Sequence, residues 1–249
     1  ALVERAQLEC AKVVVSIFVN PLQFGVGEDY HSYPRQLEAD LALLAERAVD
    51  ACYCPEVATL YPEGFSTRVL VEAGGGRWEA SRRPGHFTGV ATVVTKLLAS
   101  TGPCRAYFGE KDAQQVAVVG RLARDLDLGC EICVCPTVRD PDGLAVSSRN
   151  QKLSPAGRKA ARCLSLGLVE ACRRFAAGLD RGAQLAQVVA EVVLLEPGVQ
   201  LDYASVVDPD DFEPVTEAGP WSRVLVAAEV EGIHLIDTCR LGEPPMIGA

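Results

Sequence analysis

F-G-E-K-D-A-Q-Q, residues Phe108 to Gln115, lies between an apolar run, Cys104 to Phe108, and a stretch in which Val116, Val119, Leu122, Ala123 and Leu126 recur at helical spacing. The reading is a strand that turns into a helix, with glycine, lysine and aspartate at the turn. The first N–H groups of a helix lack intrahelical partners and carry the positive end of its dipole, so such a turn suits phosphate or carboxylate. Gly109 lets the backbone approach a ligand closely, and Lys111 adds a point charge on a flexible stem. The plain alternative for any one such match is a solvated surface turn.

Outward from this turn, strand and helix signals alternate. Ala1 to Ala6 is helix-like, and Val13 to Val19 is a β-branched run of the kind buried on both faces of a sheet. Pro34 opens a helix with Leu37, Leu41, Leu44 and Ala48 on one face. Asp50 to Cys54 reads as a strand, and His86 to Ser100 as a helix. Then follow a strand at Arg105 to Phe108, a helix from Asp112 and a strand at Cys130 to Val134. Tyr61 to Pro84, with G-G-G at Gly74 to Gly76, reads as loops with one strand at most. This alternation implies an α/β fold whose parallel sheet carries helices on both faces.

The second half changes pattern. Ser154-Pro155 caps and opens a long helix to Leu179, and a second helix covers Ala183 to Leu195. Three strand-like runs follow, Gln200 to Val207, Arg223 to Val230 and Ile233 to Thr238, with Glu231-Gly232 suited to a tight hairpin. The expectation is two domains, residues 1–137 and a small α+β domain at 138–249.

Composition narrows the function. The 249 residues are 49% hydrophobic and 23% charged, ordinary for a globular protein with a full core. A net charge of -9 argues against a broad nucleic-acid surface, so no nucleic-acid partner is expected. No apolar run reaches membrane-spanning length, and no signal-peptide pattern opens the sequence. The ten cysteines fall mostly within apolar patterns and read as small hydrophobes in a reducing, cytoplasmic setting. Cys130, Cys133 and Cys135 form C-x-x-C-x-C, but no second ligand pair stands at a suitable distance, so no metal ligands are assigned.

Three further polar segments interrupt the apolar framework. F-V-N-P-L-Q-F-G, Phe18 to Gly25, follows a strand's carboxyl end, where open α/β sheets bind ligands. Asn20 and Gln23 there offer uncharged donors and acceptors, although Asn-Pro is also a common turn. R-P-G-H-F-T-G-V, Arg83 to Val90, enters a helix, and Arg83 with His86 suits an anion clamp. A lone histidine is more often a structural hydrogen-bonder. T-V-R-D-P-D-G-L-A-V-S-S-R-N, Thr137 to Asn150, ends on Ser147, Ser148 and Arg149, a set of hydroxyls and a rigid guanidinium fork that can hold phosphate oxygens.

In this order and spacing, F-V-N-P-x-Q-F, R-P-G-H-F-x-G-V, F-G-E-K-D-x-Q-Q and S-S-R-N closely resemble the pantothenate synthetase family, the pantoate–β-alanine ligases. The resemblance covers nearly the whole chain and includes D-x-L-A-x-S-S-R-N-x-x-L at Asp142 to Leu153. It implies a Rossmann-like nucleotide- and pantoate-binding domain of the class I synthetase type, with a small carboxyl-terminal lid. It implies that ATP, with Mg2+, adenylylates pantoate, and that β-alanine then attacks the pantoyl adenylate to give pantothenate, AMP and pyrophosphate. Carried over by matching positions, Gln23 and Gln115 look like pantoate-holding amides, with Asn20 shaping the pocket. Gly109, Lys111, Asp112 and Val138 look like ATP contacts. Ser147, Ser148 and Arg149 look like the counterpart of the synthetase K-M-S-K-S loop, with Val146 where the family commonly has methionine. Lys111, Ser147, Ser148 and Arg149 are the expected catalytic set. A cytoplasmic homodimer is also implied.

The family's M-G-x-L-H-x-G-H-x-x-L segment has no counterpart in this sequence: Ala1-Leu2-Val3 matches the residues just after its second histidine. The expectation is a sequence truncated at its amino end, and His31, His86 and His234 do not replace the pair. Two competing expectations are another adenylate-forming nucleotidyltransferase of the same superfamily and a non-catalytic homologue.

Overall fold

Strands that alternate with helices must pair in parallel through crossovers, whereas consecutive strands joined by a tight turn pair antiparallel. Both regimes occur in this chain. The computed structural model describes residues 1–25, 27, 30, 31, 33, 35–72 and 76–246. These divide into two compact units, Ala1–Gly109 with Gln115–Cys135, and Glu110–Gln114 with Pro136–Ala249.

In the first unit, helix α1 (Leu2–Glu9) leads into strand β1 (Val14–Ser16). Helix α2 (Leu37–Glu46) precedes β2 (Ala51–Tyr53), which lies parallel to β1 with Val15 opposite Cys52. The short helices α3 (Val57–Leu60) and α4 (Glu79–Arg82) precede α5 (His86–Thr101). Strand β3 (Arg105–Gly109), helix α6 (Ala113–Asp125) and β4 (Glu131–Cys135) follow, and β3 and β4 pair in parallel with Tyr107 opposite Cys133. The core forms where α5 and α6 bury their apolar stripes: Val90, Ala91, Val94 and Leu98 meet Val118, Val119 and Leu122, with Phe108 and Ile132 against them. Helix α1 is fastened to β3 through Glu9, whose carboxylate accepts from the Tyr107 hydroxyl at 2.9 Å and from Arg105 Nη1 at 3.2 Å.

The second unit begins, past the loop at 136–153, with α7 (Pro155–Ala161), α8 (Cys163–Ala176) and α9 (Gly182–Leu194). These precede β5 (Val199–Val207), β6 (Arg223–Val230) and β7 (Ile233–Arg240), an antiparallel sheet in the order β5-β6-β7. Glu231 and Gly232 both have positive φ, 53° and 75°, the type I′ arrangement that matches strand twist. The α8 residues Leu164 and Leu168 and the α9 residues Leu185, Val189 and Val193 pack with Val206, Val224, Val226 and Leu235 of the sheet. Central strand β6 is buried at every position but Glu229, which is half-buried, as a strand flanked on both edges should be.

Four expectations are corrected. Val13 to Val19 forms only a three-residue strand, and Val14 is 57% exposed, so the run is not buried on both faces. Its neighbour β2 is equally short, and a β-branched run favours extended backbone without dictating what covers it. Helix α2 carries the expected leucines, but none of its residues is buried; Leu37 and Leu41 are exposed, and Ala48 lies beyond the helix with a φ of 51°. Periodicity fixes which side chains share a face, not whether another element lies against it. The long helix from Pro155 is broken at Arg162, whose side chain turns to donate from Nε to the Asp142 carbonyl at 2.9 Å. The stretch from Tyr61 to Pro84 shows the short helix α4 and, among the described residues, no strand. Pro34, Gly74 and Gly75 lie outside the described residues.

Two ties hold the second unit's loops. Arg139 pairs with Asp237 of β7 through two bonds, Nη1 to Oδ2 at 2.7 Å and Nη2 to Oδ1 at 2.9 Å, with side-chain exposures of 8% and 2%. Removing one member of such a buried pair leaves a charge without compensation. Asp237→Ala is therefore expected to destabilise the protein by about 3–5 kcal/mol, checked by urea denaturation. The second tie is Glu231, whose carboxylate accepts from the Ser154 hydroxyl and from the Ser154 N–H at 2.9 Å at the start of α7. The Ser154 hydroxyl and backbone bonds hold the Glu231 carboxyl below its ordinary value. A carboxyl so lowered contributes stability above its unfolded pKa and loses it as pH falls through the folded value. The Gly157 amide resonance should accordingly shift as pH falls below the ordinary glutamate range, and should not in Glu231→Gln.

Candidate active site

The chain leaves β1 through Phe18 and enters a 3-10 turn, Pro21–Gln23, for which Asn20 is the N-cap and Pro21 the pre-set first residue. Asn20 is 1% exposed, and its amide is satisfied on every side. Nδ2 donates to the Gly89 carbonyl at 3.0 Å and to Gln23 Oε1 at 3.2 Å. Oδ1 accepts from the Leu22 N–H at 3.2 Å and from the Tyr61 hydroxyl at 2.8 Å. Burial pushes the Tyr61 hydroxyl up to about 12, so it stays protonated and donates. Two donors at Oδ1 leave one possible orientation for the Asn20 amide. That orientation gives Gln23 Oε1 one donor and leaves the Nε2 of the half-buried Gln23 able to donate.

His86, at the start of α5, and Arg83, just after α4, fasten the same turn. The Gln23 carbonyl accepts from His86 Nδ1 at 2.7 Å and from Arg83 Nη2 at 3.4 Å. Arg83 Nη1 lies 3.1 Å from His86 Nε2. A guanidinium can only donate, so Nε2 accepts and the imidazole is the neutral Nδ1–H tautomer. The buried His86 ring is thus engaged by protein at both nitrogens. Gly89 completes the contact between α5 and the turn. A Cβ on it would stand 2.1 Å from the Leu22 carbonyl oxygen, so only glycine permits this approach.

The F-G-E-K-D-A-Q-Q turn has the expected form. Gly109 ends β3, and a Cβ there would meet nothing within 4 Å. Lys111 is largely buried, with Nζ 3.7 Å from Asp112 Oδ1, while Asp112 is exposed. Gln114 is buried and Gln115 half-buried in the first turn of α6. Glu110, not singled out by the sequence reading, pairs with Arg223 of β6, Oε1 to Nη2 at 2.7 Å.

The loop from Pro136 to Asn150 is a narrow hairpin. Arg139 bridges Ala145, the Gly143 N–H donates to the Asp140 carbonyl at 2.8 Å, and the Val146 N–H donates to the Val138 carbonyl at 2.9 Å. Val138 and Val146 are exposed at its mouth. Ser147 caps a 3-10 turn, Ser148–Lys152, by accepting the Arg149 N–H at 3.3 Å. Buried Asn150 donates from Nδ2 to the Ala145 carbonyl at 2.9 Å and holds Ser147, Ser148 and Arg149 to the hairpin. Of the cysteines in C-x-x-C-x-C, Cys130 lies 3.5 Å from the Cys104 sulfur. Among the described residues no group of three or more His, Cys, Asp or Glu could hold a metal ion.

A sequence model of the pantoate-beta-alanine ligase family matches residues 1–240, which span all four polar segments. The chain belongs to the pantoate–β-alanine ligase family. It is 49% identical over 249 residues to a pantothenate synthetase of Rubrobacter xylanophilus, covering 97% of this chain and 86% of that protein. The crystal structure of pantothenate synthetase from Thermus thermophilus superposes with a TM-score of 0.93 at 47% identity, covering 96% of this chain and 87% of that one. A pantoate-beta-alanine ligase from Francisella tularensis, complexed with beta-gamma ATP and beta-alanine, superposes with a TM-score of 0.77 at 32% identity over 98% of this chain and 85% of that one. The Rossmann-like architecture with a small antiparallel carboxyl-terminal domain is therefore that of the pantoate–β-alanine ligases.

Within that fold, sequence reasoning missed Tyr61, Gly89 and Glu110. Only Gly89 left a local signal, a glycine inside an apolar helical stripe. Gly89→Ala should destabilise by about 1–3 kcal/mol in urea, because the added methyl has no room. Gly120→Ala, in α6 with nothing within 4 Å of its Cβ, serves as the control and should hold or raise stability.

Proposed function

We propose that this chain condenses pantoate with β-alanine at the expense of ATP, through a pantoyl adenylate, with release of pyrophosphate and then AMP. The observation that carries the reading is the family match across residues 1–240, which takes in every segment that bears candidate site residues. In the first half-reaction the pantoate carboxylate attacks the α-phosphorus and pyrophosphate leaves. In the second, the β-alanine amine attacks the acyl carbon of the adenylate, AMP leaves, and the amide bond remains.

The residue types suit this chemistry. The attack joins two anions, so the dominant need is to neutralise phosphate charge and to align the groups. Lys111 and Arg149 supply charge, and Ser147 and Ser148 supply hydroxyls to phosphate oxygens. Gly109, Asp112 and Val138 contact the rest of the nucleotide, with Gly109 chosen for its open backbone. Gln23 and Gln115 hold pantoate through neutral amides. A cationic clamp on the pantoate carboxylate would stabilise the nucleophile's ground state and slow attack. Gln23 can donate to a pantoate oxygen through Nε2, while the bond from Asn20 to its Oε1 fixes the amide's orientation. Arg83 and His86 act one step away, by holding the backbone of Gln23.

Magnesium is read as travelling with the nucleotide. It is commonly held by phosphate oxygens and water with only one or two carboxylates, and exposed Asp112 is a carboxylate beside Lys111. Such an ion would add positive charge at the phosphates. The first unit is read as the pantoate-binding domain and the carboxyl-terminal unit as the lid. Ten free thiols accord with a cytoplasmic setting. No helix of the described residues is long and apolar enough to cross a membrane. The homodimer rests on family resemblance.

Pantoate-dependent pyrophosphate release tests the reading directly, and release with other acids but never with pantoate would overturn it. Lys111→Ala should lower single-turnover formation of pantoyl adenylate by about 100- to 1,000-fold, the usual cost of one preorganised electrostatic partner. Rapid-quench measurement of the adenylate checks this.

A further inference from the structure

Glu110 stands between Gly109 and Lys111, where a carboxylate facing the nucleotide would repel its phosphates. Its charge is directed elsewhere. Oε1 accepts from Arg223 Nη2 at 2.7 Å and lies 3.7 Å from Arg240 Nε, so β6 and β7 both reach it. The Arg223 side chain is 7% exposed, and its second nitrogen, Nη1, donates to Thr238 Oγ1 at 3.4 Å. Thr238 Oγ1 in turn donates to the Val224 carbonyl at 2.7 Å. The guanidinium is therefore fixed on the sheet before Glu110 reaches it. The five residues Glu110–Gln114 group with the carboxyl-terminal unit, although Gly109 and Gln115 on either side group with the first. The Ser147–Arg149 segment is tied to the same sheet by a separate buried pair, Arg139 with Asp237.

We propose that the Glu110–Arg223 ion pair is the positioning element of adenylate formation, fixing the turn that carries Lys111 to the sheet that also holds Ser147, Ser148 and Arg149. Glu110 touches no reactant; it acts through Lys111, and the proposal rests on the reading of Lys111 as an ATP contact. One sheet thus sets the place of both phosphate-directed segments, and the pair makes the backbone at Lys111 part of that sheet's framework. Losing Glu110 leaves the buried Arg223 charge without compensation, losing Arg223 leaves Glu110 only the longer Arg240 contact, and either loss frees the turn.

The test compares Glu110→Gln, Arg223→Gln, the double variant, Arg223→Lys and Lys111→Ala in the full chain. Single-turnover adenylate formation is measured against ATP concentration, pantoate binding by calorimetry without nucleotide, and thermal midpoint for each. Glu110→Gln and Arg223→Gln should each lower kcat/KM for ATP by about 100-fold, as expected of a reacting group displaced by roughly 1 Å. The double variant should be no worse than the poorer single, and Arg223→Lys should recover only part, because lysine lacks the planar fork. Pantoate affinity should be unchanged. Glu110→Gln is isosteric and carries the test if Arg223→Gln fails to fold. Wild-type ATP kinetics in Glu110→Gln, beside an inactive Lys111→Ala, would overturn the positioning role. Equal losses toward ATP and pantoate that follow the thermal midpoint would also overturn it, as a purely structural effect. Full activity in Lys111→Ala would overturn the reading of the lysine itself.

Discussion

A buried guanidinium must keep a carboxylate beside it, and the carboxyl-terminal unit contains two such groups, Arg139 and Arg223. Their partners, Asp237 and Glu110, convert a constraint of electrostatics into a constraint on chain path. Arg139 brings the hairpin at 136–146 onto β7, and Arg223 brings the residues after β3 onto β6. Neither pair is strong evidence of net stabilisation, since an apolar replacement of equal shape can do as well. What an apolar contact cannot supply is direction. Arg139 donates to Asp237 through two parallel bonds, and Arg223 divides its fork between Glu110 and Thr238, so each guanidinium plane is fixed, which suits a loop whose next residues must hold fixed positions.

The first unit holds its buried side-chain amide with neutral groups. Asn20, Tyr61, Gln23 and the Gly89 carbonyl form a closed hydrogen-bond set around a single buried amide. Each group there has one workable orientation, because a reversed Asn20 amide would set its NH2 against the Leu22 N–H and the Tyr61 donor. The close approach at Gly89 makes the set possible, and the imidazole of His86 holds the Gln23 backbone from the other side. The outcome is a glutamine side chain whose orientation is set by its neighbour Asn20.

The parts legible in the sequence were those with local causes. Helix α5 and strands β3, β4, β6 and β7 follow from periodicity, and the Glu231-Gly232 hairpin follows from two residues that tolerate positive φ. The four polar segments were legible because their residue types and order are specific. What escaped was set by partners far along the chain. Glu110 and Arg223 are separated by 113 positions, and Asn20 and Gly89 by 69, so no window of sequence contains both halves of either contact. The exposure of α2 and the shortness of β1 escaped for a related reason: a pattern of apolar residues states what could be covered and is silent on what covers it. His86 was legible as a residue of interest, whereas its partner, the Gln23 carbonyl 63 positions away, was not.

The distribution of charge connects these observations to function. The chain carries a net charge of -9, yet the proposed reaction brings together a carboxylate and a nucleotide triphosphate. Long-range attraction cannot gather such substrates, and in physiological salt fields fade within about 8 Å. Capture then depends on a few cations at short range, where placement decides the interaction energy. The proposed phosphate-directed side chains, Lys111, Ser147, Ser148 and Arg149, all belong to the carboxyl-terminal unit, whereas Gln23 and Gln115 belong to the first. Cations that must act at short range require rigid mounting, and the buried pairs provide it. A carboxylate that must stay nucleophilic requires neutral contacts, and in the proposed reading Gln23 and Gln115 are those contacts. The F-G-E-K-D-A-Q-Q turn carries both demands within eight residues, with Glu110 and Lys111 on the charged side and Gln115 on the neutral one.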